Sequence, residues 1–168
     1  ITLIPGDGIG PEIVSSVRAV FSAMNIPLEI NEAIAGGAAL AEGLDLIPQE
    51  TLAQIERSDA TLKGPITTPI GRGFSSVNVS LRQHFNLFAN VRPVLSLPGT
   101  KARFDDIDII VVRENLEGLY SGIGHSVSKD GETAELKSVI TRSGSERVIR
   151  HAFDTARKLG RKKVTLVH

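Results

Sequence analysis

The sequence predicts an α/β fold with a largely parallel sheet, on three observations. Short apolar runs alternate with segments of helical periodicity. Clusters of Gly, Pro and Ser separate them, and the first strand-like run passes straight into a glycine turn and a helix start.

The elements follow in order. Residues 1–5 read as a buried strand, and Gly6-Asp7-Gly8-Ile9-Gly10 turns into a helix with Pro11 near its first position. Ile13, Val14, Val17, Val20, Phe21 and Met24 fall at helical spacing on one apolar face. Pro27 restarts the chain into a strand over 28–33. Two short helices follow, the second over 49–57, and then a strand over 60–66. The Gly-, Pro-, Thr- and Ser-rich stretch 64–76 reads as a loop that carries chemistry rather than packing. A helix is expected over 78–85, strands over 91–97, 107–112 and 132–141, and a last strand over 163–168. Ser143-Gly144-Ser145-Glu146 reads as a capping box opening a helix with Val148, Ile149, Ala152, Phe153, Ala156 and Leu159 on its buried stripe. Gly160 ends that helix. Pro98-Gly99-Thr100 is the expected boundary between a first domain, 1–97, and a second, 98–168. Both ends run into strand-like segments, so the chain is expected to be incomplete, an amino-terminal portion of a longer protein.

Composition narrows the function. Nineteen basic residues balance nineteen acidic ones, so no overall field favours nucleic acid or a membrane surface. One Tyr, six Phe and no Trp give little material for a base-stacking face. The absence of cysteine excludes a disulfide scaffold and any thiolate metal site. No apolar run is long enough to span a bilayer as a helix.

Three arginines carry the most information: Arg82 in SLRQHF, Arg92 in NVRPV and Arg113 in VVRENLEGLY. Each lies in or just after an apolar stretch, where an unpaired guanidinium is costly to hold. A planar, permanently charged fork suits bidentate capture of carboxylates. With Ser76, Asn78 and Tyr120 nearby in sequence, the set points to a pocket for a small polycarboxylic acid. Ser76 suits an N-cap, which alone could explain it; alternatively the same helix start binds an anion, with Arg82 four residues past Asn78 on one face. Tyr120 is the only tyrosine, and a phenol beside guanidinium groups suits a proton donor or relay.

Two other motifs are more ambiguous. The Gly6–Gly10 turn resembles a dinucleotide fingerprint, but its third glycine comes one residue early, so a tight strand-to-helix turn is the preferred reading. Lys63-Gly64-Pro65-Ile66-Thr67-Thr68-Pro69 ends a strand, the place where ligands collect in open α/β sheets. Its two hydroxyls, held between prolines, either bond a ligand amide or simply complete a Pro-Thr turn. The histidines have no metal-ligand spacing, and Asp105, Asp106 and Asp108 read as a polar turn.

Five segments in register, IPGDGIGPEI, KGPITTPIGRG, SVNVSLRQHFNLFANVRP, RENLEGLYSGI and KKVTLVH, closely resemble the β-decarboxylating dehydrogenases of isocitrate, isopropylmalate and homoisocitrate. The resemblance implies that family's α/β sheet with flanking helices, which is not a Rossmann fold. It implies Arg82, Arg92 and Arg113 as the grip on substrate carboxylates, with Ser76 and Asn78 where the isocitrate enzymes meet an extra carboxylate. Isopropylmalate enzymes carry apolar residues there, so isocitrate is the favoured substrate and homoisocitrate the next. Thr67, Thr68 and Lys63 resemble the cofactor-binding loop, and Tyr120 the residue that protonates the enolate after carbon dioxide leaves.

The resemblance further implies NAD as cofactor, with NADP as the alternative, and a Mg²⁺ or Mn²⁺ ion whose ligands lie outside this chain. The compact PITTPIGRGFSSVN and FANVRPV segments look more like NAD-dependent members. It implies a homodimer or higher oligomer with shared active sites, so the chain alone is expected to be inactive. It also implies a cytoplasmic location in a bacterium, or the mitochondrial matrix in a eukaryote. A non-catalytic regulatory subunit is the competing reading. Tyr120 argues against it, since a regulator has no need of a proton donor.

Overall fold

The computed structural model describes residues 1–67 and 76–167. The chain forms two compact units, Ile1–Ser80 and Leu81–His168. The first contains β1 (Thr2–Ile4), α1 (Gly10–Ala23), β2 (Asn31–Glu32), α2 (Gly37–Ala41), α3 (Gln49–Arg57) and β3 (Thr61–Lys63). Helix α4 (Val77–His84) carries the chain from one to the other. The second contains β4 (Ala89–Leu95), β5 (Asp108–Glu114), β6 (Ser126–Val127), β7 (Ala134–Glu135) and α5 (Arg142–Lys158).

In the first unit β1 is central, flanked in parallel by β2 and β3. A strand with neighbours on both edges and helices nearby reads as a continuous apolar run, and Leu3 and Ile4 are fully buried. Thr2 is equally buried because its hydroxyl is satisfied, 2.7 Å from the Ser58 hydroxyl and 3.2 Å from the Gln54 carbonyl. The Gln54 amide ties α3 to β2 by donating to the carbonyls of Asn31 and Glu32. Val14, Val17 and Phe21 form the inward stripe of α1, while Ile13, Val20 and Met24 face outward. The apolar face is narrower than its periodicity predicts.

The glycines after β1 have a steric cause. Gly64 donates to the Ile4 carbonyl at 2.8 Å and Asp7 donates to the Pro65 carbonyl at 3.0 Å, so the chain leaving β1 and the chain leaving β3 run against each other. A Cβ on Gly64 would lie 2.1 Å from the Pro5 oxygen, and one on Gly6 would lie 1.9 Å from the Pro65 oxygen. The motif is therefore a crossing of two strand exits, which agrees with rejecting the dinucleotide fingerprint.

The second unit pairs β4 with β5 antiparallel, Ala89 opposite Glu114 through Leu95 opposite Asp108, and packs α5 beside β5. Among the described residues parallel pairing is thus confined to β1, β2 and β3. Both guanidinium nitrogens of Arg161, just past α5, bond the Asp108 carboxylate at the start of β5, and hold its carboxyl below the ordinary aspartate value. The strand expected over 132–141 is reduced to Ala134–Glu135, with one isolated bridge between Gly118 and Val139. Leu136 and Ile140 are exposed, so an alternating pattern found no ladder to join. Thr141, not Ser143, caps α5: its hydroxyl accepts from the Gly144 N–H at 3.0 Å. Val148, Ala152 and Ala156 are half-buried on α5, but Ile149, Phe153 and Leu159 are exposed. Residues 163–167 form no strand and are exposed.

Candidate functional site

Helix α4 buries Val77 and Leu81, four residues apart, and this sets Asn78 and Arg82 side by side one step around the helix. Ser76 precedes the helix, and its carbonyl accepts the Ser80 N–H at 2.9 Å, an N-cap position. Ser76 and Asn78 belong to the first unit.

Arg82, Arg92, Arg113 and Tyr120 belong to the second unit. Asn90 lies opposite Arg113 in the ribbon, and Arg92 is two residues from Asn90 on the same strand. Directly opposed residues share a face, as do residues two apart, so Arg92 and Arg113 are diagonal neighbours on one face. The Asn90 side-chain oxygen accepts from Arg92 Nε at 3.0 Å, which holds that fork in place.

The segment after Arg113 is built to fold back on it. The Glu114 carboxylate accepts the N–H groups of Leu116 and Glu117 at 3.0 and 2.8 Å, a local turn. The buried Asn115 amide donates to the Leu87 carbonyl at 3.2 Å. Gly118 takes φ +69°, reversing the chain into a short 3₁₀ turn over Leu119–Ser121. Tyr120 thereby returns onto Arg113, which donates from Nη2 to the phenol oxygen. The Arg113 guanidinium carbon lies 5.2 Å from the ring centroid and that of Arg82 lies 6.0 Å away, both within cation–π range.

None of the three guanidinium groups pairs with a carboxylate among the described residues. The acids closest in sequence are engaged elsewhere, Glu114 by its own turn and Glu117 by Thr141. Three uncompensated forks can accept carboxylates from a ligand. A phenol that accepts from Arg113 still has its own hydrogen to donate, so the same geometry can deliver a proton.

Glu117 was not singled out from the sequence. Its carboxylate takes the hydroxyl of Thr141 at 2.5 Å and its N–H at 2.8 Å, above the start of α5 where Gly144 leaves room. The Thr141 hydroxyl and N–H and the Arg147 charge outweigh burial and hold the Glu117 carboxyl below its ordinary value. A depressed carboxyl contributes stability that is complete above the ordinary value of 4.5 and is lost as pH falls through the folded value. Glu117→Gln should therefore lower the melting temperature at pH 7, with the difference from wild type shrinking as scans are run below pH 4.5. A pH-independent difference would rule this tie out.

Of the expected cofactor residues, Lys63 ends β3 and donates to the Gly64 carbonyl at 2.5 Å. Thr67 is exposed, and its N–H donates to Asp7 Oδ1 at 2.7 Å. Thr68 lies outside the described residues. The other Asp7 oxygen accepts from the Gly37 N–H at 3.0 Å. Burial opposes ionisation of Asp7, but the Thr67 hydroxyl and N–H, the Gly37 N–H and the Lys63 charge prevail and hold its carboxyl below the ordinary value. Asp7 and Asn90 were also missed, because each acts by holding another residue.

A parallel three-stranded sheet with flanking helices, and a separate antiparallel ribbon that carries Arg92 and Arg113, define a mixed α/β protein. The chain matches the isocitrate/isopropylmalate dehydrogenase family over residues 1–168, and it belongs to that family. It is 46% identical to the probable mitochondrial isocitrate dehydrogenase [NAD] subunit alpha of Drosophila melanogaster, over all of this chain and 44% of that protein. It is also 46% identical to the chloroplastic 3-isopropylmalate dehydrogenase of Solanum tuberosum, over 99% of this chain and 46% of that one. The crystal structure of isocitrate dehydrogenase from Methylococcus capsulatus is similar with a TM-score of 0.91 at 50% identity, covering 99% of this chain and 50% of that chain. The chain thus spans about half or less of the length of the proteins it matches.

Proposed function

We propose that the protein carrying this chain oxidatively decarboxylates isocitrate to 2-oxoglutarate and carbon dioxide, with NAD as hydride acceptor. The observation that supports it most is the guanidinium set: Arg82 and Arg113 at one phenol, Arg92 on the same ribbon face as Arg113, none of them neutralised within the chain. In this reading the three forks grip the substrate carboxylates, and Ser76 and Asn78 bond the one that distinguishes isocitrate. The Solanum tuberosum relative favours an isopropylmalate reading equally by identity. The polar pair at Ser76 and Asn78 argues against it, because hydroxyl and amide groups facing an alkyl group lose their hydrogen bonds.

Thr67, Thr68 and Lys63 serve the nicotinamide cofactor, which takes the hydride from the hydroxyl-bearing carbon. Thr67 and Lys63 stand at the carboxyl end of a parallel strand, where ligands bind in open α/β sheets. A Mg²⁺ or Mn²⁺ ion would polarise the carbonyl formed by hydride transfer, and so favour loss of carbon dioxide. Tyr120, held by Arg113, donates the proton that completes the product. We assign 1–97 to the family's large domain and 98–168 to the start of its dimerisation domain, a division that falls between the paired strands β4 and β5 and not where the two compact units meet in sequence, at Ser80 and Leu81. We assign the whole protein to a homodimer or higher oligomer with shared active sites. The location follows the source, cytoplasm in a bacterium and mitochondrial matrix in a eukaryote.

Steady-state turnover of the full-length protein with isocitrate, homoisocitrate and isopropylmalate, each with NAD or NADP and with Mn²⁺ or chelator, tests this reading. Isocitrate with NAD and Mn²⁺ should give the highest kcat/KM; preference for isopropylmalate would overturn it. Tyr120→Phe should cut kcat by about a hundredfold while KM for isocitrate moves only a few-fold, since a positioned acid typically contributes a factor of that order.

A further inference from the structure

We propose that Asp7 is a positioning residue for the nicotinamide cofactor: its carboxylate bridges the N–H of Thr67 to the N–H of Gly37 and so fixes where the Thr67 hydroxyl points. This rests on the reading of Thr67 as a cofactor residue.

The bridge joins three segments, with Gly37 thirty residues and Thr67 sixty residues from Asp7. Its own N–H holds the Pro65 carbonyl at 3.0 Å, so Asp7 grips the strand exit at two points, Pro65 and Thr67. Both carboxylate oxygens are taken by N–H donors, an arrangement only an acceptor on each side can satisfy. Thr67 is exposed, and water would satisfy its N–H nearly as well. Unlike water, the carboxylate fixes the direction of that N–H and of the residue that carries it.

The glycines at 36 and 37 leave the room that the carboxylate occupies. Cβ atoms built on Gly36 and Gly37 would lie 3.1 and 3.0 Å from Asp7 Oδ2. For Gly37 the three nearest atoms are all Asp7's, so alanine there presses on the carboxylate and little else. Gly37 is the first residue of α2, where alanine is otherwise the better helix former. Gly37→Ala is thus a way to displace the carboxylate without weakening the helix.

In full-length enzyme, Asp7→Asn keeps one acceptor and turns an amide NH₂ toward a donor. It should raise KM for NAD, and Kd for NAD by calorimetry, about two- to tenfold, the worth of one hydrogen bond to the cofactor. KM for isocitrate should stay within about twofold. Gly37→Ala should raise KM for NAD several-fold with an unchanged or higher melting temperature, and it carries the test if Asp7→Asn fails to fold. Thr67→Val, which removes the hydroxyl and keeps the N–H, reports on the underlying reading. If Thr67→Val leaves NAD affinity unchanged, the cofactor role of Thr67 falls and this inference with it. If Thr67→Val weakens NAD but Gly37→Ala and any folded Asp7→Asn do not, Asp7 has no positioning part. Equal rises in both Michaelis constants with a lower melting temperature would make Asp7 structural only.

Discussion

Arg113→Ala is expected to raise KM for isocitrate by about a hundredfold while leaving the melting temperature nearly unchanged. Arg113 is exposed on β5 and pairs with no carboxylate among the described residues. Folding loses only its bond to the Tyr120 phenol and a cation–π contact, of which the latter is worth about 0.5–1 kcal/mol at an exposed site. The substrate loses far more. Truncating one member of a charge pair costs about 2–5 kcal/mol, and each 1.4 kcal/mol is a factor of ten. Arg113→Lys should recover part of the loss, because a point charge remains while the fork is gone. Arg161→Ala is the matched control: that guanidinium is already spent on Asp108, so its loss should lower stability and leave KM alone. An unchanged KM in Arg113→Ala would mean that the exposed forks serve something other than substrate.

Much of the fold was legible because its signals are local. Helices α1, α3 and α4 fall within a residue or two of their expected bounds, since periodicity and flanking Pro or Gly need no distant partner. The strands read less well. Strand β2 has two residues where six were expected, and 132–141 gave a two-residue strand, because a strand exists only where a neighbour accepts its ladder. The three arginines stood out as charges in apolar stretches, and Tyr120 as the one tyrosine. What holds them was not legible. Asn90 acts through the β4–β5 register, Glu117 through Thr141 twenty-four residues on, and Asp7 through Thr67 sixty residues on. Sequence spacing carries no trace of such pairings, and of them the Asn90 bond is what holds the Arg92 fork in place. The glycines were legible as a turn, but the close approach behind them was not.

Gly6→Ala is expected to be the most destabilising single substitution in the first unit. Two costs fall on one atom. Gly6 has φ +81°, in a region where a side-chain-bearing residue is strained by about 1–3 kcal/mol. The added Cβ would also lie 1.9 Å from the Pro65 carbonyl oxygen and 2.8 Å from its carbon, contacts no rotamer change can relieve. That oxygen cannot retreat freely, because it accepts the Asp7 N–H at 3.0 Å and Gly64, next to it, is bonded to Ile4. Overpacking of this kind typically adds about 1–3 kcal/mol, so the sum is about 2–6 kcal/mol against a usual stability of about 5–15. At about 2–4 °C per kcal/mol, the melting temperature should fall by about 4–24 °C. Gly43→Ala separates the two costs. Its φ is +74°, nearly the same, but nothing lies within 4 Å of the Cβ position. That variant should lose only the backbone share, a few degrees. Equal losses at the two positions would show that the crossing of the strand exits is not what requires glycine at Gly6.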